Sequence, residues 1–455
     1  MRLFHMVRNI LIIFFLLKHT ACILSFQFCP FLMFAISSER LKDHRLFKEF
    51  TMHTLVYIRR NKVFDKVVLD YAQKNLPTKK LSTISEYFNG DHRIDMNLSK
   101  WDYCSETQAF VDENLDLSKI IFRDRVLRNT PFKDCLVLIR RAAGNLLEIF
   151  DKNSFDTLVT YPVDNYIMDI MIQLAEKKDI PCYGICSFFM SGYKRLTVYG
   201  EHSPHRIPEK SEVDHVLDKL KNNFRSHMAP SRSKALKAAI IRYIKYKARY
   251  PIFYLFVAKI LGRKEYDFLA TPYNTTVRKF MNFFVERHFT PMSKVDFTKK
   301  SILIPLHYFP EATIEYWSGC SGQIEFEDML RCKIDELSAD YDQIILKDHP
   351  ATVFDNSSAF YKELKKNKKV ILIDPFVATT TLLEHIDVVG CWTGTVGIEA
   401  LVNGKSVELF TEAQYYRQAM KLHPEIIQQD GPLISISDPY VFIEEILKGS
   451  IKFEG

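Results

Sequence analysis

Residues 387–410, DVVGCWTGTVGIEALVNGKSVELF, contain the pattern that decides the fold. The apolar run Asp387–Gly390 predicts a buried strand, and the apolar spacing across Thr395–Val402 predicts a helix. Gly404 stands just past that helix, where glycine commonly ends one, and a second apolar run follows at Ser406–Phe410. Strand, helix and strand in this order form a βαβ unit, which predicts a parallel sheet.

The same alternation extends across the carboxyl-terminal third of the chain. The further predicted strands and helices are strands at Ser301–Leu306, Gln343–Leu346 and Lys369–Ile373, and helices at Glu325–Ala339, Ser358–Lys365, Thr379–Glu384 and Tyr440–Leu447. Crossovers between parallel strands are right-handed, so such a series winds into a doubly wound sheet covered on both faces. We therefore predict a Rossmann-like domain at residues 299–455.

A second α/β domain is predicted in the amino-terminal half. Strand patterns at Phe155–Thr160 and Ile180–Ile185 flank a helical pattern at Asp164–Lys177, which gives another βαβ unit. The apolar run Phe31–Ile36 is expected to be the first buried strand of this domain. The domain is placed at residues 31–205.

Residues 206–298 are predicted to form a basic helical connector between the two domains. From Ser231 to Lys264 there are ten Lys or Arg residues and no acidic residue. Such a stretch suits an anionic membrane surface, an anionic polymer or phosphate, and equally a solvated helix face. It lies outside the sheets without a recognition motif, so nucleic-acid binding is not expected.

Residues 1–30 form an apolar extension. The run Ile10–Leu17 is followed by Lys18, and neither apolar half reaches the roughly 20 residues that a membrane-spanning helix needs. Three interpretations stay open: an upstream start-site artefact with the working start near Met33, a membrane-associating anchor, or a poorly formed secretion signal. The first two are favoured.

Composition fits a large globular protein of two main domains. The 455 residues are 47% hydrophobic and 26% charged, which is ordinary for globular proteins. Nine cysteines occur without a CxxC pair, so zinc ribbons and redox pairs are not indicated. Unpatterned thiols favour a reducing compartment, and we predict a cytoplasmic protein, either free or peripheral at the inner face of the cell membrane.

Two loops at predicted strand ends carry reactive side chains. Glu311 lies in the loop after the first strand of the carboxyl-terminal domain, and Lys347 and His349 follow the next strand, with Pro350 fixing an extended turn. Ligands of open α/β sheets bind beyond the carboxyl ends of the strands. The alternative for each loop is an ordinary connection with exposed side chains.

The third loop opens the helix quoted at the outset. Thr393, Gly394, Thr395 and Gly397 would bring free backbone amides and hydroxyls close to a phosphate, and Glu399 lies one turn inside, within reach of ribose hydroxyls. The alternative is a capped helix with glycines for packing. The three loops together favour nucleotide phosphate binding more than any one alone.

These motifs resemble those of bacterial glycosyltransferases that build capsular and surface polysaccharides. The group has a GT-B-like fold and includes capsular Kdo transferases; several bacterial sialyltransferases share its HP motif. The resemblance covers residues 300–412 and rests on three segments, namely PLHYFPEA (305–312), KDHP (347–350) and TGTVGIEA with GKSV (393–407). Such families often have Ser where this chain has Thr395, and the hydroxyl is kept.

The resemblance implies roles for the motif residues. His349 and Thr395 would bind the phosphate of a nucleotide-sugar donor, and Glu399 would hold the ribose or the same site. The general base would come from the amino-terminal domain, with Asp164 or Glu39 as candidates. Inversion at the anomeric carbon is expected from the resemblance. No DxD-spaced carboxylate pair stands at a strand end, so neither a metal nor a cofactor is predicted.

The predicted protein is therefore a glycosyltransferase of GT-B-like fold, with two Rossmann-like domains facing a central cleft. It would move a sugar from a CMP- or UDP-linked donor to a polysaccharide or lipid-linked glycan acceptor. Three alternatives stay open: a polyol-phosphate transferase of the teichoic-acid type, a nucleotide-sugar epimerase, and a non-catalytic scaffold for capsule assembly.

Overall fold

The computed structural model describes most of the chain from Met52 onward. The described residues are 52–59, 62–87, 89–222, 224, 230–250, 256, 260, 284–307, 312–318, 326–354 and 356–453. The predicted extension at 1–30, the strand expected at Phe31–Ile36, Glu39 and Glu311 lie outside these residues, as does much of the predicted connector.

Seven of the described strands form a first sheet in the order β14-β6-β5-β4-β1-β2-β3. Their bounds are β1 Met52–Tyr57, β2 Thr78–Ser85, β3 His92–Arg93, β4 Thr157–Thr160, β5 Cys182–Ser187, β6 Tyr193–Leu196 and β14 Ser450–Lys452. Strands β3, β2, β1, β4 and β5 are parallel, and β6 and β14 extend the sheet antiparallel. The strand order reverses between β1 and β4, the position where such sheets bind ligands.

A second sheet of seven described strands repeats this plan in the order β12-β13-β11-β10-β7-β8-β9. Its strands are β7 Ser301–Pro305, β8 Gln343–Lys347, β9 Val370–Ile373, β10 Val388–Cys391, β11 Ser406–Leu409, β12 Ile427–Asp430 and β13 Leu433–Ile436. Five strands are parallel, and the β12–β13 hairpin adds antiparallel at one edge. The order reverses between β7 and β10. The predicted α/β fold with two Rossmann-like sheets is confirmed.

Helices connect and cover the two sheets. The described helices are α1 Lys62–Asn75, α2 Ser105–Asn114, α3 Leu117–Arg123, α4 Phe132–Lys152, α5 Tyr166–Lys177, α6 Lys210–Lys221, α7 Arg232–Tyr250, α8 Ala312–Glu315, α9 Phe326–Leu337, α10 Ser358–Leu364, α11 Thr379–Leu383, α12 Val396–Val402, α13 Tyr415–Lys421 and α14 Pro439–Lys448. We call residues 52–201 the first lobe and residues 284–449 the second lobe.

Burial explains why the second lobe could be predicted strand by strand. All five residues of β8 are buried because helices cover both faces of a parallel sheet, and such strands have continuous apolar runs. Helix α9 buries Phe326, Leu330, Ile334 and Leu337, which recur at helical spacing on one face. Period and burial therefore agree in both kinds of element.

Helix α12 ends as the sequence predicts. Gly404 has a φ of +71°, a left-handed conformation that glycine adopts without steric cost. Its amide donates to the carbonyl of Leu401, and the amide of Lys405 donates to the carbonyl of Ala400. These bonds satisfy carbonyls at the helix end and direct the chain into β11.

The two lobes belong to one compact unit from Met52 onward. The carboxyl-terminal strand β14 returns to the first sheet, where Ser450 pairs with Arg195 of β6. Helix α6, from the predicted connector, buries Val213 and Val216 in the core of the second lobe. The boundaries at 31–205, 206–298 and 299–455 stay a prediction, with the qualification that one strand crosses between sheets.

Among the described residues, no helix combines the length and the apolar character required to traverse a lipid bilayer.

Candidate functional site

A cavity of about 500 Å³ opens at the carboxyl ends of the second sheet's strands. The loops after β7, β8 and β10 form one wall, and β5 and β6 of the first lobe contribute to the other. The predicted residues Lys347, His349, Thr393, Thr395 and Glu399 all line it, together with Gly394. The cavity therefore lies at the reversal of strand order, as expected for a doubly wound sheet.

His307 follows β7 and faces the β10 loop. Its Nε2 accepts from the amide of Thr393 at 3.4 Å, and its Nδ1 lies 3.4 Å from the Thr393 hydroxyl. Burial and the neighbouring His349 lower the pKa of His307 to about 3, so the ring is neutral at neutral pH. A neutral ring that accepts at Nε2 has its proton on Nδ1, which therefore donates to Thr393.

Asp348 shapes the loop that follows β8. Its carboxylate accepts from the amide of His349 at 2.7 Å, from Nδ2 of Asn356 at 2.8 Å and from the Tyr361 hydroxyl. The side chain is 2% exposed. These three donors satisfy its charge and hold the turn that presents Lys347 and His349 to the cavity.

His349 is a neutral hydrogen-bond donor. Burial and the adjacent Lys347 lower the pKa of His349 to about 4. Its Nδ1 accepts from the amide of Ala351 at 3.2 Å, which leaves the proton of the neutral ring on Nε2. An Nε2–H donor suits a phosphate oxygen without requiring the imidazole to become charged.

Lys347 and Glu399 are buried, and burial shifts their pKa values in opposite directions. Lys347 is 9% exposed and Glu399 is 4% exposed. Burial lowers the pKa of Lys347, while Glu399 and Asp348 oppose that change. Burial also raises the pKa of Glu399 to about 8, against the pull of Lys347. At neutral pH the carboxyl group is therefore mostly protonated and can donate a hydrogen bond.

The loop after β10 presents Thr395 at the N-cap of α12. Its side chain makes no capping hydrogen bond, so the hydroxyl is not used to cap the start of the helix. A Cβ added to Gly394 would have His307 Cε1 at 3.6 Å as its nearest neighbour, which is ordinary contact. Gly394 therefore leaves open space beside the cavity rather than relieving a clash.

Gly397 has a different role. A Cβ there would lie 2.2 Å from the Tyr416 hydroxyl and 3.0 Å from Cys391 Sγ. Gly397 is buried and is absent from the described lining of the cavity. Gly397 thus allows α12 to pack closely against α13. It does not line the described cavity wall, where the phosphate contact was predicted.

Asp164 lies at the carboxyl end of β4 in the first lobe, outside the described lining of the cavity. Arg59 donates to both of its carboxylate oxygens, and Asn165 Nδ2 donates at 3.1 Å. Burial favours its neutral form, but Arg59 outweighs burial and lowers the pKa of Asp164 below its usual value. A carboxylate held in this way accepts a proton weakly. The other predicted base, Glu39, and Glu311 lie outside the described residues.

His307 and Arg195 are among the described cavity residues that were not predicted from the sequence. His307 was recognisable only as part of a strand-end loop, since nothing local marks it as a partner of Thr393. Arg195 lies in the middle of β6 and reaches the cavity from the first lobe. Its position depends on the antiparallel pairing of β6 with β5 and β14, which no local pattern encodes.

Two doubly wound sheets with a ligand-sized cavity between their lobes define the class of this protein, an α/β protein of GT-B-like fold. Residues 225–421 match the sequence family described as capsule polysaccharide biosynthesis protein. This segment includes the loops of Lys347, His349 and Thr395. The family resemblance predicted from the sequence is thereby confirmed over this segment.

Solved structures with a similar chain path include the beta Kdo 2,4 transferase KpsC of Thermosulfurimonas dismutans, 12% identical, covering 66% of this chain and 85% of that one with a TM-score of 0.30. The UDP-GlcNAc 2-epimerase of Neisseria meningitidis bound to UDP-GlcNAc is 12% identical, covering 87% and 94% with a TM-score of 0.26. The UDP-GlcNAc 2-epimerase of Methanocaldococcus jannaschii is 14% identical, covering 87% and 92% with a TM-score of 0.24. Likenesses this weak support no functional conclusion. No curated protein sequence matches the chain.

Proposed function

We propose that this protein is a glycosyltransferase of capsule or surface polysaccharide synthesis, which uses a nucleotide-sugar donor bound in the cavity. One observation carries the proposal. Four hydrogen-bond donors lie on one cavity wall, at the point where the strand order of the sheet reverses. They are Lys347, the Nε2–H of His349, the mostly protonated Glu399, and the hydroxyl of Thr395, which makes no capping hydrogen bond. These groups are donors suited to a nucleotide phosphate, and the matched family supports the biosynthetic context.

The proposed chemistry is displacement at the anomeric carbon with the nucleotide as leaving group. Negative charge develops on the leaving phosphate as the glycosidic bond breaks. Fixed donors that need no rearrangement stabilise such charge best in a site with little water. In this proposal Lys347 and His349 meet the phosphate oxygens, while Glu399 donates to the ribose or to the same phosphate. The chain's own side chains supply these interactions.

The acceptor hydroxyl must lose a proton during transfer, so a general base is required. We keep Asp164 and Glu39 of the amino-terminal half as the proposed candidates. For Asp164 the proposal has a condition, since its ion pair with Arg59 lowers its proton affinity. It would act as a base only after the acceptor or a lobe movement draws Arg59 away.

Nucleotide binding tests this proposal directly. Thermal unfolding of the purified protein is measured with CMP, CDP, UMP and UDP, for the wild type and for His349→Ala. We expect stabilisation by one nucleotide class and its loss in the variant. His215→Ala is the matched control, because His215 is an exposed histidine of α6 away from the cavity. The control should respond as the wild type does.

The outcomes distinguish the alternatives. A response to CDP without one to CMP would favour polyol-phosphate transfer. A response to UDP together with interconversion of free UDP-sugars, in the absence of any acceptor, would favour an epimerase. If no nucleotide raises the unfolding temperature of the wild type, the donor proposal fails and the scaffold alternative gains.

A further inference from the structure

Arg195 is the most deeply buried charged group that the first lobe contributes to the cavity. It is 6% exposed and lies in β6 between β5 and β14, paired with Cys186 on one side and Ser450 on the other. Its guanidinium carbon lies 3.9 Å from the ring centroid of Tyr415 and 5.9 Å from that of Trp317, both of the second lobe. Strand pairing fixes the backbone of Arg195, and the contact with the Tyr415 ring restrains its guanidinium.

The guanidinium lacks an acceptor among the described residues. Its Nη1 is buried without a hydrogen bond, and none of the described carboxylates forms an ion pair with it. Several other partly buried arginines of the chain have such partners: Arg59 with Asp164, Arg125 and Arg128 with Glu315, Arg141 with Asp102, and Arg206 with Glu212. An unpaired buried charge is costly, so its retention in a cavity wall indicates a ligand that pairs with it.

The charges around the cavity point to an anionic ligand. The charged residues that line it in the described part of the chain are Arg195, Lys347, Asp348 and Glu399. Asp348 is satisfied by three donors of its own loop, and Glu399 is mostly neutral at neutral pH. Among the described residues, Arg195 therefore faces the cavity without a carboxylate partner, and Lys347 on the other lobe lies beside the mostly neutral Glu399 and the hydrogen-bonded Asp348. Positive groups in a concave site attract anions.

We propose that Arg195 binds an oxyanion of the substrate, through the edge of a guanidinium held against Tyr415. A planar fork of N–H donors matches the paired oxygens of a carboxylate or of a phosphate. Lys347 and His349 on the opposite wall already suit the nucleotide phosphate, so a second oxyanion, such as the carboxylate of an acidic sugar, best fits Arg195. The assignment of that oxyanion to a sugar substrate rests on the proposed glycosyl transfer.

The test compares binding of four probes to the full-length protein: CMP, UDP, glucuronate and glucose. Intrinsic fluorescence is the readout, because Trp317 lines the cavity beside Arg195. The variants are Arg195→Met, which removes the charge, and Arg195→Lys, which keeps the charge without the planar fork. Arg417→Met is the control, since Arg417 also belongs to the helix of Tyr415 but pairs with Glu412.

We expect the wild type to bind glucuronate and not glucose, and Arg195→Met to lose about tenfold or more in affinity for it. Arg195→Lys should lose less, and Arg417→Met should bind as the wild type. If Arg195→Met instead weakens binding of CMP or UDP alone, the oxyanion is the nucleotide phosphate. Unchanged binding of every probe by the Arg195 variants would overturn the proposal, as would a wild type that binds none of the charged probes.

Folding and function are separated by two further comparisons. Circular dichroism shows which variants are folded. If Arg195→Met does not fold, the outcome is decided by Arg195→Lys, which keeps a cation beside Tyr415. Glucuronate binding that needs Arg195, in a protein that binds no nucleotide, supports the oxyanion site and removes the donor proposal. If nucleotide binding needs His349 and no probe depends on Arg195, the donor proposal is supported and the oxyanion site at Arg195 is removed.

Discussion

Gly397 of α12 and Tyr416 of α13 pack so closely that a Cβ on the glycine would lie 2.2 Å from the tyrosine hydroxyl. Tyr416 is fully buried, so its ring cannot move aside freely. The contact positions the helix that presents Thr395 and Glu399 to the cavity. Gly397 and Gly394 therefore differ in the effect expected of an alanine substitution on stability.

Gly397→Ala is expected to destabilise the protein by about 1–3 kcal/mol, because overpacking outweighs the roughly 1 kcal/mol that alanine gains over glycine in a helix. Gly394→Ala is the control, with 3.6 Å to its nearest neighbour, and should stay within about 0.5 kcal/mol of the wild type. Urea unfolding measures both. Adding Tyr416→Phe to Gly397→Ala should restore part of the loss, and equal destabilisation by the two alanines would contradict this account.

Lys347 gives the most direct prediction for donor binding. Lys347→Met keeps the length of the side chain and removes its charge from a wall where it is 9% exposed. We expect nucleotide affinity to fall by about tenfold to a hundredfold, since a charge-assisted contact to phosphate is lost. Titration calorimetry with the nucleotide that stabilises the wild type measures this. Lys368→Met, at an exposed position before β9, should bind as the wild type does.

The sequence predicts the second lobe well because its strands are continuous apolar runs and its helices have one apolar face. Strand β1 was not predicted, since Met52–Tyr57 mixes polar and apolar residues within a buried strand. The return of Ser450–Lys452 to the first sheet was not predicted either. Pairing between strands separated by some 250 residues depends on the whole fold, not on local pattern.

Part of the candidate site could likewise be predicted from local motifs, and part depends on the three-dimensional fold. Lys347, His349 and Thr395 could be predicted because motif residues at successive strand ends of one sheet must meet at one edge. The importance of Arg195 lies in the lack of an ion-pair partner for it among the described residues, which only three-dimensional contacts reveal. Gly397 shows the converse, since a glycine in a phosphate-binding pattern can be required by a tyrosine on the neighbouring helix.

Asp164→Asn separates catalysis from structure in the first lobe. The substitution leaves Arg59 with a neutral partner, so the free energy of unfolding should fall by about 1–3 kcal/mol. If Asp164 is the base, kcat should also fall at least about a hundredfold, with KM nearly unchanged. Asp91→Asn, an exposed carboxylate that accepts from Thr83, is the control. A stability loss with kcat intact would remove Asp164 from the proposed mechanism.

Glu399→Gln tests the raised pKa of the buried carboxyl. A carboxyl whose pKa rises to about 8 on folding favours the folded state fully below its unfolded pKa, near 4.5, and that advantage disappears as pH rises through 8. The wild type should therefore lose stability between pH 5 and pH 9 relative to Glu399→Gln, which cannot ionise. Urea unfolding of both proteins at pH 5, 7 and 9 gives the comparison. Parallel curves across this range would mean that Glu399 is ionised throughout.

Glu445 of α14 offers the opposite pH dependence, away from the cavity. Its carboxylate accepts from His202 Nε2 at 3.0 Å, His423 Nε2 at 2.9 Å and Lys448 Nζ at 2.7 Å. Burial favours the neutral carboxyl, but these donors outweigh it and lower the pKa of Glu445 to about 2. Its contribution to stability is therefore complete above the unfolded pKa, near 4.5, and is lost as pH falls through 2.

His423 of the same cluster adds a second pH dependence, at higher pH. Burial alone would lower the pKa of His423, but its hydrogen bonds to Glu445 and Glu425 raise it above the ordinary value. Its contribution is fully present below the unfolded pKa of about 6.5 and is lost as pH rises through the folded value. Glu445→Gln should therefore destabilise most near pH 5, by about 2–4 kcal/mol, and progressively less toward pH 2 and as pH rises above the ordinary histidine pKa of 6.5.

Urea unfolding of the wild type and Glu445→Gln from pH 2 to pH 9 measures the difference. Glu425→Gln is the control, because Glu425 is exposed and pairs with Nδ1 of His423, whereas Glu445 pairs with Nε2. It should reduce the alkaline part of the effect slightly and leave the acid part unchanged. A difference between wild type and Glu445→Gln that is constant with pH would show that the contacts stabilise by packing, since charge pairing requires the dependence to follow the two pKa shifts.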